Sequence, residues 1–183
     1  MSDNKEDQLL VRAILSGDIS AFSTLYNKYE GCIYRLMLKM SGDSSTAEDL
    51  AHDAFVKMYE NLEKYDFYYK FFSWFYRLAM NIAINAGKRK REVADSDNYQ
   101  VSVDDSNPAL ELEQKEMKQN MNRLIAKLDI KYRTVVVLKY TQQLSYSEIA
   151  EILNIPEKKV KSRLFSAREL LRTYINGSGL YES

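Results

Sequence analysis

Apolar side chains recur every three or four residues along most of this 183-residue chain. One stretch with this spacing starts at Ser20, a second follows the segment SGDSS at 41–45, and a third runs from about Phe71 to Lys90. This spacing places apolar groups on one face of an α-helix, whereas a strand would show alternation. The pattern therefore predicts an all-α protein in which each helix buries one face.

A 17-residue segment at 92–108 lacks this period and separates two blocks of different charge. It contains five acidic residues, three serines and a proline, and it has no lysine or arginine. The block before it carries 13 basic and 12 acidic side chains, whereas the block after it carries 13 and nine. Such a polar segment is typical of a solvated linker. We predict two small helical domains, at 1–91 and 109–183, joined by a flexible acidic linker.

Several classes of function are excluded by what the chain lacks. A structural zinc site normally needs four Cys or His ligands, and the sequence has only Cys32 and His52. Asp49 and His52 resemble half of a di-metal helix site, but the second histidine that such a site needs is missing. The sequence also has no glycine-rich phosphate loop and no nucleophile elbow. We therefore expect no metal, no cofactor and no enzymatic activity.

The N-terminal sequence MSDNKEDQ is polar and acidic. It lacks the basic and apolar regions of a signal peptide, and no stretch approaches the roughly 18 apolar residues of a membrane span. We therefore expect a cytoplasmic protein that does not insert into a membrane.

The last third of the chain has the pattern of a helix-turn-helix. Ser145 and Glu148 form a capping box at the start of a short amphipathic helix. Asn154 tolerates the left-handed conformation of a tight helix end, and Pro156 suits the first turn of the next helix. The preceding segment YRTVVVLKY at 132–140 is apolar enough to be the buried support of both helices.

The second helix of this motif has a free basic face. Its predicted buried stripe consists of Val160, Leu164, Ala167 and Leu171, and residues 157–172 carry six basic and two acidic side chains. A short helix with such a face fits the major groove of B-DNA. A solvated lysine-rich face on a helical bundle is the alternative interpretation of the same residues.

Four segments of the chain together resemble bacterial sigma factors of the extracytoplasmic-function (ECF) type, in that family's order. They are AEDLAHDAFVKMYENLEKYD at 47–66, FSWFYRLAMNIAINAGKRKR at 72–91, YRTVVVLKYTQQLSYSEIAEIL and IPEKKVKSRLFSARELLR. The resemblance extends from about Ala21 to Arg172. It implies a promoter-specificity subunit of RNA polymerase, whose first domain binds the core enzyme and melts the −10 element and whose second domain reads the −35 element. It also implies an anti-sigma protein as a further partner.

The resemblance assigns docking on core RNA polymerase to the second predicted helix, which has Glu48 and Asp49 in its predicted first turn. The candidate contacts are Glu48, Asp49, His52, Asp53 and Lys57. Acidic groups suit the basic coiled coil on which the family docks. His52 stands where the family commonly has glutamine. Without the resemblance, a solvated helix face would explain these residues.

Nine of the 22 aromatic residues lie between Tyr65 and Tyr76. Phe71, Trp74 and Phe75 belong to a predicted buried stripe that continues through Leu78, Ile82 and Asn85. The resemblance implies that the loop before this helix captures a base flipped out of the −10 strand, and its candidates are Tyr65, Phe67, Tyr68 and Tyr69. Stacking on aromatic rings favours such capture. A hydrophobic clasp over the domain core is the alternative.

The resemblance also supplies candidate contacts along the two DNA-reading helices. For the −10 strand they are Asn81, Asn85, Lys88, Arg89, Lys90 and Arg91, with Asn81 preferred because Asn85 falls on the predicted buried stripe. For the −35 element they are Lys158, Lys159, Lys161, Ser162, Arg163, Ser166 and Arg168. Ser166 stands where relatives frequently have arginine.

Two other classes of protein remain as alternatives from the residues alone. A free-standing helix-turn-helix regulator would use its N-terminal block as a dimerisation bundle and would bind duplex DNA alone. A scaffold protein would bind neither DNA nor polymerase.

Overall fold

The computed structural model of the protein describes residues 4–94 and 112–177. These ranges contain α1 (Asn4–Leu15), α2 (Ile19–Ser41), α3 (Ser44–Glu60), α4 (Phe71–Ala94), α5 (Leu112–Lys127), α6 (Ile130–Val136), α7 (Tyr146–Leu153) and α8 (Glu157–Gly177). A 3-10 turn, Leu62–Lys64, follows α3, and a π-helical turn, Val137–Thr141, continues α6. The prediction of an all-α protein is confirmed. None of the helices in the described ranges has the length and apolar character that a membrane crossing requires.

The break between α2 and α3 lies where the sequence predicts it. Gly42 ends α2 in the left-handed conformation, with φ 75°, which glycine adopts without strain. Asp43 then caps α3, because its carboxylate accepts a hydrogen bond from the Thr46 amide at 2.8 Å. Since α3 begins at Ser44, the prediction that Glu48 and Asp49 occupy its first turn is wrong, and both lie in the second turn.

The core of the N-terminal group is formed where α2, α3 and α4 meet. Tyr29 of α2 lies 5.7 Å from Phe75 of α4 between ring centroids, and Phe55 of α3 lies 5.2 Å from the same ring. Their edge-to-face and tilted arrangements are those that aromatic pairs prefer. Leu25 and Met58 fill the space beside them and are fully buried.

Helix α1 packs over this core, and the sequence pattern did not predict it. Val11 and Ile14 are buried in the core, and Asp7 is fully buried as well. The Asp7 carboxylate accepts a hydrogen bond from the Tyr29 hydroxyl at 2.7 Å and pairs with the Lys28 ammonium at 2.7 Å. A buried carboxylate is tolerated when it is paired in this way. Helix α1 is therefore fixed to α2 by an internal ion pair.

Helix α4 differs from the prediction in its face and its end. The buried positions include Phe75, Ala79 and Ala83, whereas Asn85 is exposed. The predicted stripe through Asn85 is wrong, because small alanines rather than Leu78 and Ile82 turn toward the core. The helix also continues to Ala94, so the linker predicted to start at 92 begins inside α4. The rest of that predicted linker, 95–108, lies outside the described residues.

The C-terminal group contains the predicted helix-turn-helix. The Ser145 hydroxyl accepts a hydrogen bond from the Glu148 amide, and the Glu148 carboxylate accepts one from the Ser145 amide at 2.9 Å, which completes the capping box. Asn154 ends α7 in the left-handed conformation, with φ 51° and ψ 49°. Val160, Leu164 and Ala167 of α8 are buried, as are residues 135–138 beneath the motif.

The N-terminal and C-terminal groups of helices contact each other, and their buried apolar residues belong to one cluster. Side-chain hydrogen bonds also cross between the two groups. The Tyr76 hydroxyl donates to the Gln142 side-chain oxygen at 3.0 Å, and the Arg77 guanidinium donates to the Glu151 carbonyl at the end of α7. The Arg133 guanidinium donates to the Met40 carbonyl at 3.0 Å. Burial raises the pKa of Tyr76, so its hydroxyl stays protonated and can donate.

Candidate functional site

The five residues predicted to dock on polymerase all lie on the exposed side of α3: Glu48, Asp49, His52, Asp53 and Lys57. Asp49 and Asp53 are one helical turn apart, so their carboxylates face the same direction. Lys57 pairs with Glu60 at 2.6 Å, and this hydrogen-bonded contact raises the pKa of the Lys57 ammonium. The exposed side of α3 is therefore acidic from Glu48 to Asp53. It is followed by Lys57 and Glu60, whose charges neutralise each other.

An apolar groove of about 600 Å³ lies beside this acidic face. Phe22, Tyr26 and Phe55 line it, together with Val56 and Tyr59, and the Tyr59 side chain is 59% exposed. Val56 and Tyr59 were not among the predicted contacts. Their signal was present in the sequence, because both are apolar residues that fall outside the buried stripe of α3. The groove gives this face an apolar component next to its charge.

The aromatic loop at 65–70 contains one buried ring at its base. Tyr65 is only 4% exposed, and its ring lies 5.5 Å from Phe71 and 5.4 Å from Trp74 between centroids. Its hydroxyl donates a hydrogen bond to the Tyr69 carbonyl at 2.6 Å, and burial raises the pKa of this hydroxyl. In this conformation Tyr65 packs over the domain core, as in the alternative interpretation of the loop. Neither face of its ring is open to a base.

Two rings of the loop face solvent. Tyr68 is 88% exposed and Tyr69 is 50% exposed, and their rings meet edge to face with centroids 5.3 Å apart. Asp66 shapes the turn beneath them, since its carboxylate accepts from the Tyr68 amide at 2.9 Å and its carbonyl accepts from the Tyr69 amide at 3.1 Å. Phe67 is half-buried under the Arg12 guanidinium, which lies 4.1 Å from its ring centroid. Tyr68 and Tyr69 therefore form an open pair of rings on an ordered turn.

Polar side chains extend along the exposed side of α4 from this loop. Asn81, Asn85, Lys88 and Arg89 are all exposed. Asn81 and Asn85 are one turn apart and point in the same direction. The preference for Asn81 over Asn85 therefore loses its basis. The side chains of Lys90 and Arg91 lie outside the described part of the chain.

Helix α8 places its predicted DNA contacts around one open face. Lys158, Lys159, Lys161, Ser162 and Arg168 are exposed, and Arg163 and Ser166 are half-buried. Lys161 pairs with Glu157 at 2.7 Å and lies 5.5 Å from the ring centroid of Tyr146. Phe165 is exposed among these residues. The face is basic and includes one aromatic ring. Across the described ranges, no group of three or more His, Cys, Asp or Glu side chains is arranged to hold a metal ion.

Two family matches cover both groups of helices. Residues 25–93 match the family described as sigma-70 region 2, and residues 118–171 match sigma-70 region 4. The chain is 37% identical over 173 residues to the ECF RNA polymerase sigma factor SigW of Bacillus subtilis, an alignment that covers 88% of this chain and 92% of the relative. It is 30% identical over 186 residues to the ECF RNA polymerase sigma-E factor of Haemophilus influenzae, covering 96% of this chain and 98% of the relative.

Solved structures show the same fold at lower sequence identity. CnrH, solved in complex with the cytosolic domain of CnrY, superposes with a TM-score of 0.72 at 20% identity and covers 94% of this chain and 98% of CnrH. The sigma factor RpoE, solved with the anti-sigma factor NepR from Bartonella quintana, superposes with a TM-score of 0.68 at 22% identity and covers 86% and 98%.

The order of the two matched regions and the extent of the alignments confirm the resemblance inferred from the sequence motifs. The chain therefore belongs to the ECF sigma factors of the sigma-70 family, which are promoter-specificity subunits of RNA polymerase and not enzymes.

Proposed function

We propose that this sigma factor binds core RNA polymerase through α3 and reads its promoter through two chemically different surfaces. The observation that carries the proposal is the presence, in one chain, of the open ring pair Tyr68 and Tyr69 and of the basic face of α8. Aromatic rings stack on unpaired bases, and a basic helix enters the major groove of duplex DNA. A subunit that starts promoter melting needs both activities.

Docking on core polymerase uses the exposed acidic residues of α3 and the groove beside them. Glu48, Asp49 and Asp53 present negative charge to a basic coiled coil, which favours rapid association in the correct orientation. The groove next to His52 accepts apolar side chains of the same partner, whose burial supplies affinity. Lys57, already paired with Glu60, marks the edge of this surface.

The −10 element is bound at the aromatic loop and along α4. Tyr68 and Tyr69 stack on a base flipped out of the non-template strand, while Tyr65 and Phe67 support the loop from below. Asn81 and Asn85 hydrogen-bond to base edges or backbone of that strand. The basic residues that follow, Lys88, Arg89, Lys90 and Arg91, neutralise its phosphates.

The −35 element is bound in the major groove by α8. Lys158, Lys159, Lys161, Ser162, Arg163, Ser166 and Arg168 supply base contacts and phosphate anchors. The capping box of α7 and the turn at Asn154 hold α8 at a fixed angle to its support. In this scheme the first functional domain is 1–91 with the remainder of α4, the second is 109–183, and the acidic segment between them is the linker.

The proposed setting is the bacterial cytoplasm, with core polymerase and promoter DNA as partners and an anti-sigma protein as a regulator. CnrH and RpoE, which share this fold, were solved in complex with CnrY and with the anti-sigma factor NepR. A regulator of that kind would act by covering the polymerase-binding surface of α3.

The test is co-elution with bacterial core RNA polymerase on a sizing column. Wild type and a Glu63→Arg control, which changes an exposed charge just after α3, are expected to co-elute stoichiometrically. The double variant Asp49→Arg/Asp53→Arg is expected to elute free, because it reverses the acidic face of α3. Free elution of the wild type, together with tight binding to duplex DNA alone, would instead support a free-standing helix-turn-helix regulator.

A further inference from the structure

We propose that a polar stripe on α1, formed by Asn4, Gln8 and Arg12, positions the aromatic loop at 65–70 and thereby contributes to its choice of base. The inference rests on the proposed function, because it assumes that Tyr68 and Tyr69 contact an unpaired base of the −10 strand. Asn4, Gln8 and Arg12 are spaced by four residues, so they share one side of α1. Each of them contacts the loop or its flank.

Gln8 is the central contact of this stripe. Its side-chain amide donates a hydrogen bond to the Phe67 carbonyl at 2.7 Å and lies 3.3 Å from the Tyr65 hydroxyl. The Tyr69 carbonyl lies at 3.5 Å from the same nitrogen, at the outer limit of a hydrogen bond. A single NH₂ group thus faces polar atoms from the start, middle and end of the turn that carries Tyr68.

The two other members of the stripe act on either side of Gln8. The Asn4 side-chain oxygen accepts a hydrogen bond from the Phe71 amide at 3.0 Å, so it satisfies a free amide at the first residue of α4. The Arg12 guanidinium lies 4.1 Å from the centroid of the Phe67 ring, within the range of a cation–π contact. The loop is therefore held by α1 from its middle to the point where α4 begins.

Helix α1 can serve as a support because it is itself fixed. Asp7, one residue before Gln8, is fully buried and pairs with Lys28 and Tyr29 of α2. Burial by itself would lower the pKa of Lys28, but its contacts with Asp7 and Glu6 outweigh this effect and raise it, so the Lys28 ammonium stays charged. Moving α1 relative to α2 would leave the buried Asp7 carboxylate without its partner Lys28. The position of the loop is thus tied to the core rather than left to the turn alone.

A fixed turn matters for base selection as well as for affinity. A preorganised loop loses less conformational entropy when it binds, and it presents Tyr68 and Tyr69 in one arrangement. A base is then accepted according to how well it fits that arrangement. A loop that samples several arrangements accepts more bases with less difference among them. Gln8 is accordingly a positioning residue that needs no contact with DNA.

The experiment uses holoenzyme made from the full chain and a promoter library randomised across the −10 element with a constant −35 element. Open complexes are isolated and sequenced. The main variant is Gln8→Glu, which keeps the length of the side chain but replaces its donor by a carboxylate facing the Phe67 carbonyl. We expect discrimination at one −10 position to fall about three- to tenfold, the equivalent of one hydrogen bond.

The matched control is Leu9→Ala, which changes the neighbouring residue of α1, whose side chain is 67% exposed. It is expected to leave the −10 preference unchanged. Arg12→Ala serves as a second variant, because Arg12 is exposed and its removal leaves the core of α1 intact. It is expected to shift the same −10 position in the same direction by a smaller factor, with co-elution on core polymerase unchanged.

A merely structural role for Gln8 would give a different result. It would lower open-complex formation equally for all −10 sequences, in proportion to a lower urea midpoint, and that outcome would overturn the inference. Selection of no −10 sequence by wild-type holoenzyme would instead reject the proposed function on which the inference rests.

Discussion

The two surfaces that we propose for DNA reading, the helix-turn-helix and the aromatic loop, are built in opposite ways. The helix-turn-helix surface is encoded locally, since Ser145, Glu148 and Asn154 fix the motif through contacts with residues a few positions away. The aromatic loop depends on residues far away in the chain, because Gln8 reaches the Phe67 carbonyl across 59 residues. On the proposed function, the first surface needs only a basic helix that enters duplex DNA, whereas the second uses a turn held by the rest of the domain.

The surfaces also differ in the interaction that they offer to DNA. The exposed face of α8 is dominated by lysine and arginine, so its binding should depend strongly on salt. The loop offers two tyrosine rings, whose stacking on a base releases no counterions. This difference can be tested by two pairs of substitutions. One pair compares the buried ring of the loop with an exposed ring, and the other compares loss of a stacking ring with loss of a charge.

The largest effect is expected from removal of the buried ring at the base of the loop. Tyr65→Ala should destabilise the N-terminal group by about 3 kcal/mol, because it leaves a large cavity beside Phe71 and Trp74. Tyr68→Ala, at an exposed position of the same loop, should change stability by less than about 0.5 kcal/mol. Urea unfolding followed by the fluorescence of Trp74 measures both. Equal midpoints for the two variants would contradict the division of the loop into support and contact.

An intermediate effect is expected in promoter binding by holoenzyme. Tyr68→Ala should weaken binding by about 1–3 kcal/mol without changing its salt dependence, because stacking is lost and no charge is removed. Lys158→Ala should weaken binding and reduce the slope of log K against log salt by about 0.9, as expected for one lost phosphate contact. A salt titration of promoter affinity distinguishes the two. A reduced slope for Tyr68→Ala would contradict the claim that the loop binds DNA by stacking rather than by charge.

The smallest effect concerns the capping box of α7. Burial opposes ionisation of Glu148, but hydrogen bonds from the Ser145 amide and hydroxyl outweigh it and lower the pKa of the carboxyl. The stabilisation that ionised Glu148 provides is therefore fully present above its unfolded-state pKa. It is lost as the pH falls through the lower folded-state pKa. Glu148→Gln should cost about 0.5 kcal/mol at pH 7 and less near pH 3, where more of the carboxyl is protonated. Unfolding by urea at both pH values, followed by circular dichroism, measures the difference, and a pH-independent cost would contradict it.

The sequence was sufficient for the locally encoded parts of the molecule. Apolar spacing predicted α2, α3 and α4, and the capping box with Asn154 predicted the helix-turn-helix. Sequence motifs also sufficed for the family. These features depend on residues within one or two helical turns of each other, which is the range over which periodicity and capping act.

Features set by tertiary packing could not be predicted in the same way. Helix α1 was missed because its inward face includes the charged Asp7, which is buried only because Lys28 and Tyr29 meet it. Tyr65 and Tyr68 have the same side chain, so the sequence alone does not distinguish them. Only the packing of Tyr65 against Trp74 and Phe71 shows that Tyr65 is buried while Tyr68 is exposed. The prediction that Asn85 is buried is wrong because Leu78 and Ile82 are only half-buried, and the small residues Ala79 and Ala83 face the core instead.

The π-helical turn after α6 determines how α7 and α8 are rotated relative to the N-terminal group of helices. At its end, the Gln142 amide donates to the Val137 carbonyl five residues back rather than four, so the helix carries one residue more than a regular α-helix would use. Each residue of an α-helix turns the chain by about 100°. Deleting one codon from this turn would therefore rotate Gln142 away from Tyr76 and turn α7 and α8 in a new direction, without changing any residue proposed to contact DNA.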